Sequence, residues 1–248
     1  MRNLVVLALL ATLASGLLNT DILNLSDEVI SFIADYSRQM PEVAAKAEKG
    51  SNDAIVVTNC IDTTWNSCQY AFNQRLGIDT SLTWRQADQI AVGINAVLST
   101  NISSVFTVCN DNMAFYQCLG TSYYSCMDLY RIIRTKDADF REAYTYVQIY
   151  HQLQFMCNAG FEEVLKDYYC MTSLKTTQGI QACASQFNST VVQDPSKLCT
   201  AVDQADSCLN AAYQAGCQTA ESGWWGCEEF RVAFTQTCYG LRCMVNHG

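Results

Sequence analysis

This chain of 248 residues contains two histidines, so few residues could supply an imidazole for catalysis or metal binding. His151 lies on an apolar stripe of helical spacing with Val147 and Phe155, and His247 is the penultimate residue. Zinc sites need several His and Cys ligands at short spacings, and the sequence has no Cys-x-x-Cys pair. We therefore predict no metal site and no cofactor. We expect His151 to pack on the apolar face rather than to act as a ligand or a base.

Hydrolytic chemistry would need an activated nucleophile or two facing carboxylates. The sequence has no Gly-x-Ser-x-Gly motif, and its acidic pairs, Glu162-Glu163 and Glu228-Glu229, are adjacent residues. Adjacent side chains on a helix diverge by about 100°, and such pairs usually face solvent. We predict that the protein is not an enzyme and assign no catalytic residue.

Fourteen cysteines are the most informative residues of the chain, and an even number in a secreted protein indicates a disulfide framework. Residues eight or nine apart on one helix lie about 12 Å apart along its axis, whereas bridged Cα atoms need less than about 7 Å. Bridges must therefore run between helices, and the spacing leaves their connectivity open. We predict that every cysteine is bridged: Cys60, Cys68, Cys109, Cys118, Cys126, Cys157, Cys170, Cys183, Cys199, Cys208, Cys217, Cys227, Cys238 and Cys243.

Two cysteine triplets have nearly the same spacing. In each triplet a leucine follows the middle cysteine, as Leu119 and Leu209. An internal duplication would explain this, and so would helical spacing that recurs by chance. The triplets are Cys109, Cys118, Cys126 and Cys199, Cys208, Cys217.

The N-terminal segment 1–16 has the features of a secretory signal peptide. Arg2 is followed by an apolar run of ten residues and then by Ala14-Ser15-Gly16, which predicts cleavage after Gly16. The alternative is a membrane anchor, but ten residues of helix span about 15 Å, half of a bilayer core. We predict a secreted, extracellular protein without a membrane span.

The charge of the chain excludes several partners. Removal of Arg2 with the signal leaves 14 basic and 24 acidic residues, a net charge of −10. Nucleic acids and anionic membranes need clustered Lys and Arg, and no such cluster occurs. We predict no nucleic-acid partner.

Apolar residues recur with a period close to 3.6 almost throughout, and no segment alternates with period 2. We predict an all-α, disulfide-stapled helical domain of about seven to nine helices. Thr83 is a predicted N-cap, Gly77 a predicted helix end, and Asp194-Pro195 a predicted helix start.

The predicted organisation is a signal (1–16), a cysteine-free leading helical segment (20–50) and a stapled domain (60–243). The leading segment has its stripe at Ile22, Leu25, Val29, Phe32, Tyr36 and Met40. Candidate boundaries are 48–58 and 186–196.

Three Asn-x-Ser/Thr sequons predict N-glycosylation in a secreted chain: Asn24, Asn101 and Asn188. We expect Asn101 and Asn188 to lie between helices, where a glycan is easily accommodated.

Trp224 and Trp225 form a candidate binding surface. If residues 222–239 are helical, the buried stripe consists of Cys227, Phe230, Phe234 and Cys238. Trp225 then points to the opposite side and should be partly exposed. The alternative is that the leading helix packs over both indoles.

One longer run, FMCNAGFEEVLKDYYC, covers residues 155–170. Three shorter motifs precede it, Leu76-Gly77-Ile78, Ser81-Leu82-Thr83-Trp84 and Cys118-Leu119, and Trp225-Gly226-Cys227 follows it. Together they resemble a nematode family of secreted cysteine-rich proteins, catalogued as domain of unknown function 19. The resemblance covers about residues 60–243. It implies a secreted, nematode-restricted protein with structural cysteines and no established enzymatic activity.

These features favour a glycosylated, non-catalytic extracellular interaction protein whose protein partner is unknown. The first alternative is a carrier that holds a small hydrophobic, lipid-like ligand between its helices. The second alternative is a divergent secreted hydrolase.

Overall fold

The computed structural model describes residues 17–19, 25–39 and 59–245, which form helices and turns without a β-strand. Nine of the helices in these ranges are longer than a single turn, and α5 and α6 are single turns, which confirms the predicted all-α fold. The helices are α1 (Asp27–Gln39), α2 (Asp62–Leu76), α3 (Ala87–Leu98), α4 (Ser103–Leu119), α5 (Tyr123–Cys126), α6 (Leu129–Ile132), α7 (Phe140–Met156), α8 (Phe161–Leu174), α9 (Gln178–Gln193), α10 (Leu198–Cys217) and α11 (Ala220–Val232).

Local signals in the sequence set several helix ends. Thr83 and Gln86 form a capping box at the 3₁₀ turn that leads into α3. Gly77 ends α2 with a φ of 70°, a left-handed conformation that favours glycine. The Asp194 side chain accepts a hydrogen bond from the Ser196 N–H at 3.1 Å, and Pro195 begins the turn before α10. All three predicted signals are confirmed.

Helix α7 lies at the centre of the core and is buried on nearly every side. Several of its buried polar groups form hydrogen bonds inside the protein. The Tyr146 and Tyr150 hydroxyls donate to Gln69 Oε1 at 2.6 and 2.9 Å. The Trp65 indole in turn donates to the Tyr146 hydroxyl at 2.9 Å. This network fixes α2 against α7.

Seven disulfides bridge all fourteen cysteines, and none of them joins two cysteines of one helix within the described ranges. The first finding agrees with the prediction from the even number of cysteines, and the second agrees with the prediction from their spacing. The pairs are Cys60–Cys126, Cys68–Cys118, Cys109–Cys157, Cys170–Cys217, Cys183–Cys208, Cys199–Cys238 and Cys227–Cys243.

The first six cysteines and the next set share one connectivity. The second set consists of Cys170, Cys183, Cys199, Cys208, Cys217 and Cys238, and the Cys227–Cys243 bridge belongs to neither set. When the cysteines are numbered in order within each set, the bridges join one to five, two to four and three to six. Six cysteines allow 15 pairings, so the repeated pattern favours the internal duplication over chance. The first set ends at Cys157, just after α7, and the second ends at Cys238, shortly after α11.

The predicted organisation needs two corrections. Helix α9 continues to Gln193, so 186–196 is not a boundary. Helix α1 buries Val29 and Ile33, whereas Phe32 and Tyr36 are exposed by 36 and 41%. The predicted Leu25 and Val29 are therefore buried, but the stripe continues at Ile33 and not at Phe32 and Tyr36. Segments 1–16, 20–24 and 40–58 lie outside the described residues, together with the predicted signal peptide and the boundary at 48–58.

Within the part of the chain that the structure describes, no helix has the length and apolar character needed to cross a bilayer.

Candidate binding cleft

A cleft of about 680 Å³ opens between α4, α7 and α11. It lies where the two disulfide sets meet, because Cys109 and Cys157 of the first set border it on one side and α11 of the second set borders it on the other. The Cys109–Cys157 bridge ties α4 to the residue that follows α7 and so holds two of the three walls together. Its volume falls in the range of small-molecule sites, about 300–1,000 Å³.

One wall of the cleft is aromatic. The Phe155 and Trp224 rings meet edge to face, with centroids 5.5 Å apart and planes at 68°. Phe155 comes from the last turn of α7 and Trp224 from the first half of α11, so the packing of these helices positions the pair.

The opposite rim of the cleft consists of exposed apolar side chains. Met113 is 49% exposed, Tyr116 38% and Tyr124 65%. The Tyr116 and Tyr124 hydroxyls are hydrogen-bonded, and this contact raises the pKa of Tyr116. Three neighbouring exposed side chains of this kind form an apolar patch of the sort that marks binding sites.

The polar side of the cleft carries a charge pair. Arg231 donates from Nε and Nη2 to Glu228 Oε2, at 3.0 and 2.5 Å, one turn apart on α11. Both side chains are mostly buried, with exposures of 21 and 13%. The positive charge in the cleft is therefore balanced by a carboxylate in direct contact.

His151 also borders the cleft, and burial lowers its pKa. His151 Nδ1 forms a 2.9 Å hydrogen bond with Thr235 Oγ1, and that hydroxyl also lies 3.0 Å from the Val232 carbonyl oxygen. Nε2 accepts from Gln236 Nε2 at 3.4 Å. Both ring nitrogens are engaged, and the imidazole packs between α7 and the end of α11 as the sequence predicted.

The structure reverses the predicted roles of the two tryptophans. Trp225 is fully buried, whereas Trp224 is the partly exposed indole that borders the cleft. Trp225 is covered by Phe155 and Tyr213 and donates to the Gly160 carbonyl at 3.1 Å. Its cover among the described residues therefore comes from α7, α10 and the turn before α8.

Two glycines explain the reversal. Helix α11 begins at Ala220, where the Thr219 side chain caps it, so Gly223 and Gly226 lie inside the helix. A Cβ on Gly226 would be 2.2 Å from the Tyr213 ring, and one on Gly223 would be 2.8 Å from the Asn210 carbonyl oxygen. The glycine face packs directly on α10 and carries Trp225 into the core. The expected stripe of Cys227, Phe230, Phe234 and Cys238 is buried as well, although α11 ends at Val232.

The acidic pair at the end of the chain does not face solvent as predicted. Glu229 is fully buried, and burial raises its pKa to about 7 although Lys175 and Asn19 stabilise the ionised form. Glu228 binds Arg231 as described above. The helix therefore buries Glu229 beside Asn19 and Lys175 and places Glu228 at the cleft.

A further cluster places the Asp206 carboxylate within 4.8 Å of the Cys227 and Cys243 sulfurs. These sulfurs are bonded to each other, so they offer no thiolate to a metal. Asp206 is 3% exposed, and neither carboxylate oxygen has a hydrogen-bond partner within the described ranges. Burial raises its pKa to about 8, against the opposing influence of Arg231.

The sequons lie in different surroundings. Asn101 is exposed and precedes α4, as predicted, and its side chain accepts a hydrogen bond from the Ser104 N–H at 3.2 Å. Asn188 is partly exposed but lies inside α9 rather than between helices, because α9 is longer than predicted. Asn24 lies outside the described residues. Glycosylation at all three sites stays a prediction.

Comparison with family models, with curated proteins and with solved structures gives no match for this chain. The resemblance to the nematode family therefore stays a prediction.

Proposed function

We propose that the protein is a secreted, non-catalytic binding protein that holds a small, neutral, amphipathic ligand in the cleft between α4, α7 and α11. The observation that carries this proposal is the aromatic cleft of about 680 Å³. Of the functions that the sequence suggested, the ligand carrier agrees best with this geometry.

The apolar part of the cleft selects the body of the ligand. Phe155 and Trp224 offer ring faces and edges on one side, and Met113 and Tyr116 offer apolar surface on the other. Burial of a ring or an alkyl chain between these walls contributes about 25 cal/mol for each Å² removed from water.

The polar part selects an uncharged head group. Glu228 neutralises Arg231, and burial favours the neutral form of His151. The charges of Arg231 and Glu228 already pair with each other. A charged head group would therefore lose its hydration in the cleft without gaining an ion pair, which is costly. A hydroxyl or amide head would be able to bond the Asn112 and Gln154 side chains, which also line the cleft.

The same site supports binding better than catalysis. A general base needs a lone pair directed at substrate, and both ring nitrogens of His151 are already bonded to Thr235 and Gln236. The seven disulfides and the predicted signal peptide support an extracellular location.

The experiment is a titration of the secreted protein with N-phenyl-1-naphthylamine, a neutral amphipathic fluorophore whose emission rises in apolar sites. We expect saturable binding that weakens about tenfold in Trp224→Ala. Tyr239→Ala, which removes a ring that is 72% exposed and outside the cleft, is the matched control and should bind normally.

A second variant guards against misfolding. Trp224 packs on Phe155, so circular dichroism of Trp224→Ala is needed, and Tyr116→Ala tests the opposite, exposed rim. Absence of saturable binding, or equal affinity in all three variants, would contradict a ligand cleft. An intact fold with no ligand binding, together with capture of an extracellular protein through the rim, would favour the interaction protein instead.

A further inference from the structure

Residues 17–19 are buried although they lie far in sequence from everything around them. Leu17 is fully buried, and Leu18 and Asn19 are 3 and 2% exposed. This tripeptide directly follows the predicted cleavage site at Gly16.

The tripeptide is held by polar groups from two helices and from Lys175, the residue after a third helix. The Leu18 N–H donates to Asn95 Oδ1 of α3 at 3.1 Å, and the Asn19 N–H donates to Glu229 Oε1 of α11 at 3.0 Å. Lys175, which follows α8, donates from Nζ to the Leu17 carbonyl at 2.5 Å and to Asn19 Oδ1 at 2.7 Å.

Asn19 connects Lys175 and Glu229, the two charged residues of the recess around the tripeptide. Its side-chain amide donates to Glu229 Oε2 while its carbonyl oxygen accepts from Lys175. The partner residues are themselves buried, with exposures of 5% for Asn95, 9% for Lys175 and 0% for Glu229. Buried charges are costly unless they are hydrogen-bonded, so the tripeptide contributes polar groups that these side chains need.

We propose that Leu17 is the first residue of the mature protein and that Leu17–Asn19 is its N-terminal anchor, an intramolecular peptide ligand for the recess of Asn95, Lys175 and Glu229. Hydrolysis of the Gly16–Leu17 amide leaves a carboxylate on Gly16 of the leader and an amine on Leu17. Cleavage at this bond keeps the anchor whole, whereas cleavage after Asn19 would remove it. The inference is independent of the ligand cleft.

The first test is the N-terminal sequence of the natively secreted protein, which we expect to begin at Leu17. The second test compares chains that begin at Leu17 and at Thr20 behind the same heterologous leader. We expect the shorter chain to melt about 5–10 °C lower, because it loses the contacts of the anchor. A mature chain that begins at or beyond Thr20, or equal melting temperatures, would overturn the proposal.

A substitution covers the case in which the shorter chain does not fold. Asn19→Ala in the chain that begins at Leu17 removes the bridge between Lys175 and Glu229 but leaves the backbone in place. We expect its melting temperature to fall by several degrees, whereas Asn66→Ala on the exposed side of α2 should leave it unchanged. Equal melting temperatures for the two variants would overturn the anchor.

A peptide added in trans tests recognition directly. We expect the amide of Leu-Leu-Asn to raise the melting temperature of the chain that begins at Thr20, and the amide of Leu-Leu-Ala to raise it less. An equal effect of the two peptides would contradict recognition of Asn19.

Discussion

The indole N–H of Trp225 donates to the carbonyl oxygen of Gly160 at 3.1 Å. This bond joins α11 to the turn between α7 and α8, the turn that also holds Cys157 at the edge of the cleft. A Cβ on Gly160 would be 2.8 Å from Trp225 Nε1 and from the Phe155 ring. The buried tryptophan therefore sets the position of Phe155, and Phe155 in turn supports the cleft-facing Trp224.

The adjacent tryptophans provide a matched pair of substitutions. We expect Trp225→Phe to lower the free energy of unfolding by about 1–3 kcal/mol, because it leaves a buried carbonyl without its donor. Trp224→Phe should change stability by less than 1 kcal/mol and weaken binding of N-phenyl-1-naphthylamine instead. Urea unfolding and the fluorescence titration measure the two effects. Equal stability losses in both variants would contradict the assignment of Trp225 to the core and Trp224 to the cleft.

Asp206 predicts a pH dependence of stability. Its pKa is about 8 in the folded protein and near 3.8 when unfolded, so between these values the folded state binds one proton more. Stability should therefore fall as pH rises through this window, by about 1.4 kcal/mol for each pH unit from this group. Asp206→Asn should remove that part of the slope in urea unfolding at pH 5, 7 and 9.

The control for Asp206 is its exposed neighbour on α10. Asp203→Asn should keep most of the wild-type slope, because Asp203 is exposed and its repulsion adds less to the raised Asp206 pKa than burial does. Glu229, with its pKa raised to about 7, adds a slope of the same sign in both variants, so the difference between them isolates Asp206. Parallel pH profiles for Asp206→Asn and wild type would contradict the buried, unpaired carboxylate.

His151 is expected to stabilise the fold without taking part in chemistry. His151→Gln should lower the free energy of unfolding by about 1–2 kcal/mol, since it disturbs the bonds to Thr235 and Gln236. Ligand affinity should stay within about twofold. The folded pKa lies below the usual 6.5, so the histidine costs stability as pH falls through 6.5, and the variant should lose this dependence. Normal stability with abolished binding would contradict a packing role.

The bridges are tested by peptide mapping of the unreduced protein. Alkylation should label no thiol, and the cross-linked peptides should show the connectivity one to five, two to four and three to six in each set. Removal of Cys227–Cys243 by a double serine substitution should cost about 3 kcal/mol. Two or more free thiols, or a different pairing in one set, would contradict the framework and the duplication.

Local signals predicted the helices well because they depend on neighbouring residues alone. The capping box at Thr83 and the turn at Asp194 are short-range hydrogen bonds. The even number of cysteines and the predicted extracellular location were enough to predict that every cysteine is bridged. Which cysteines pair depends on the tertiary fold, so the sequence left the connectivity open.

The errors lie where packing between distant helices decides the outcome. Trp225 is buried because glycines let α11 approach α10, and the sequence around it does not reveal that approach. Glu229 is buried because Lys175 and Asn19, 54 and 210 residues away, meet its carboxylate. The cleft itself combines Met113, Phe155 and Trp224, which share no sequence pattern. Of these, Trp224 alone belongs to the candidate binding surface that the sequence predicted.

Native mass spectrometry of the protein purified from secretion medium tests the ligand cleft most directly. We predict a bound small molecule with a neutral, amphipathic structure on the wild-type protein and on Tyr239→Ala, and its loss from Trp224→Ala at unchanged helicity. A wild-type protein that carries no ligand and binds no N-phenyl-1-naphthylamine would contradict the proposed function.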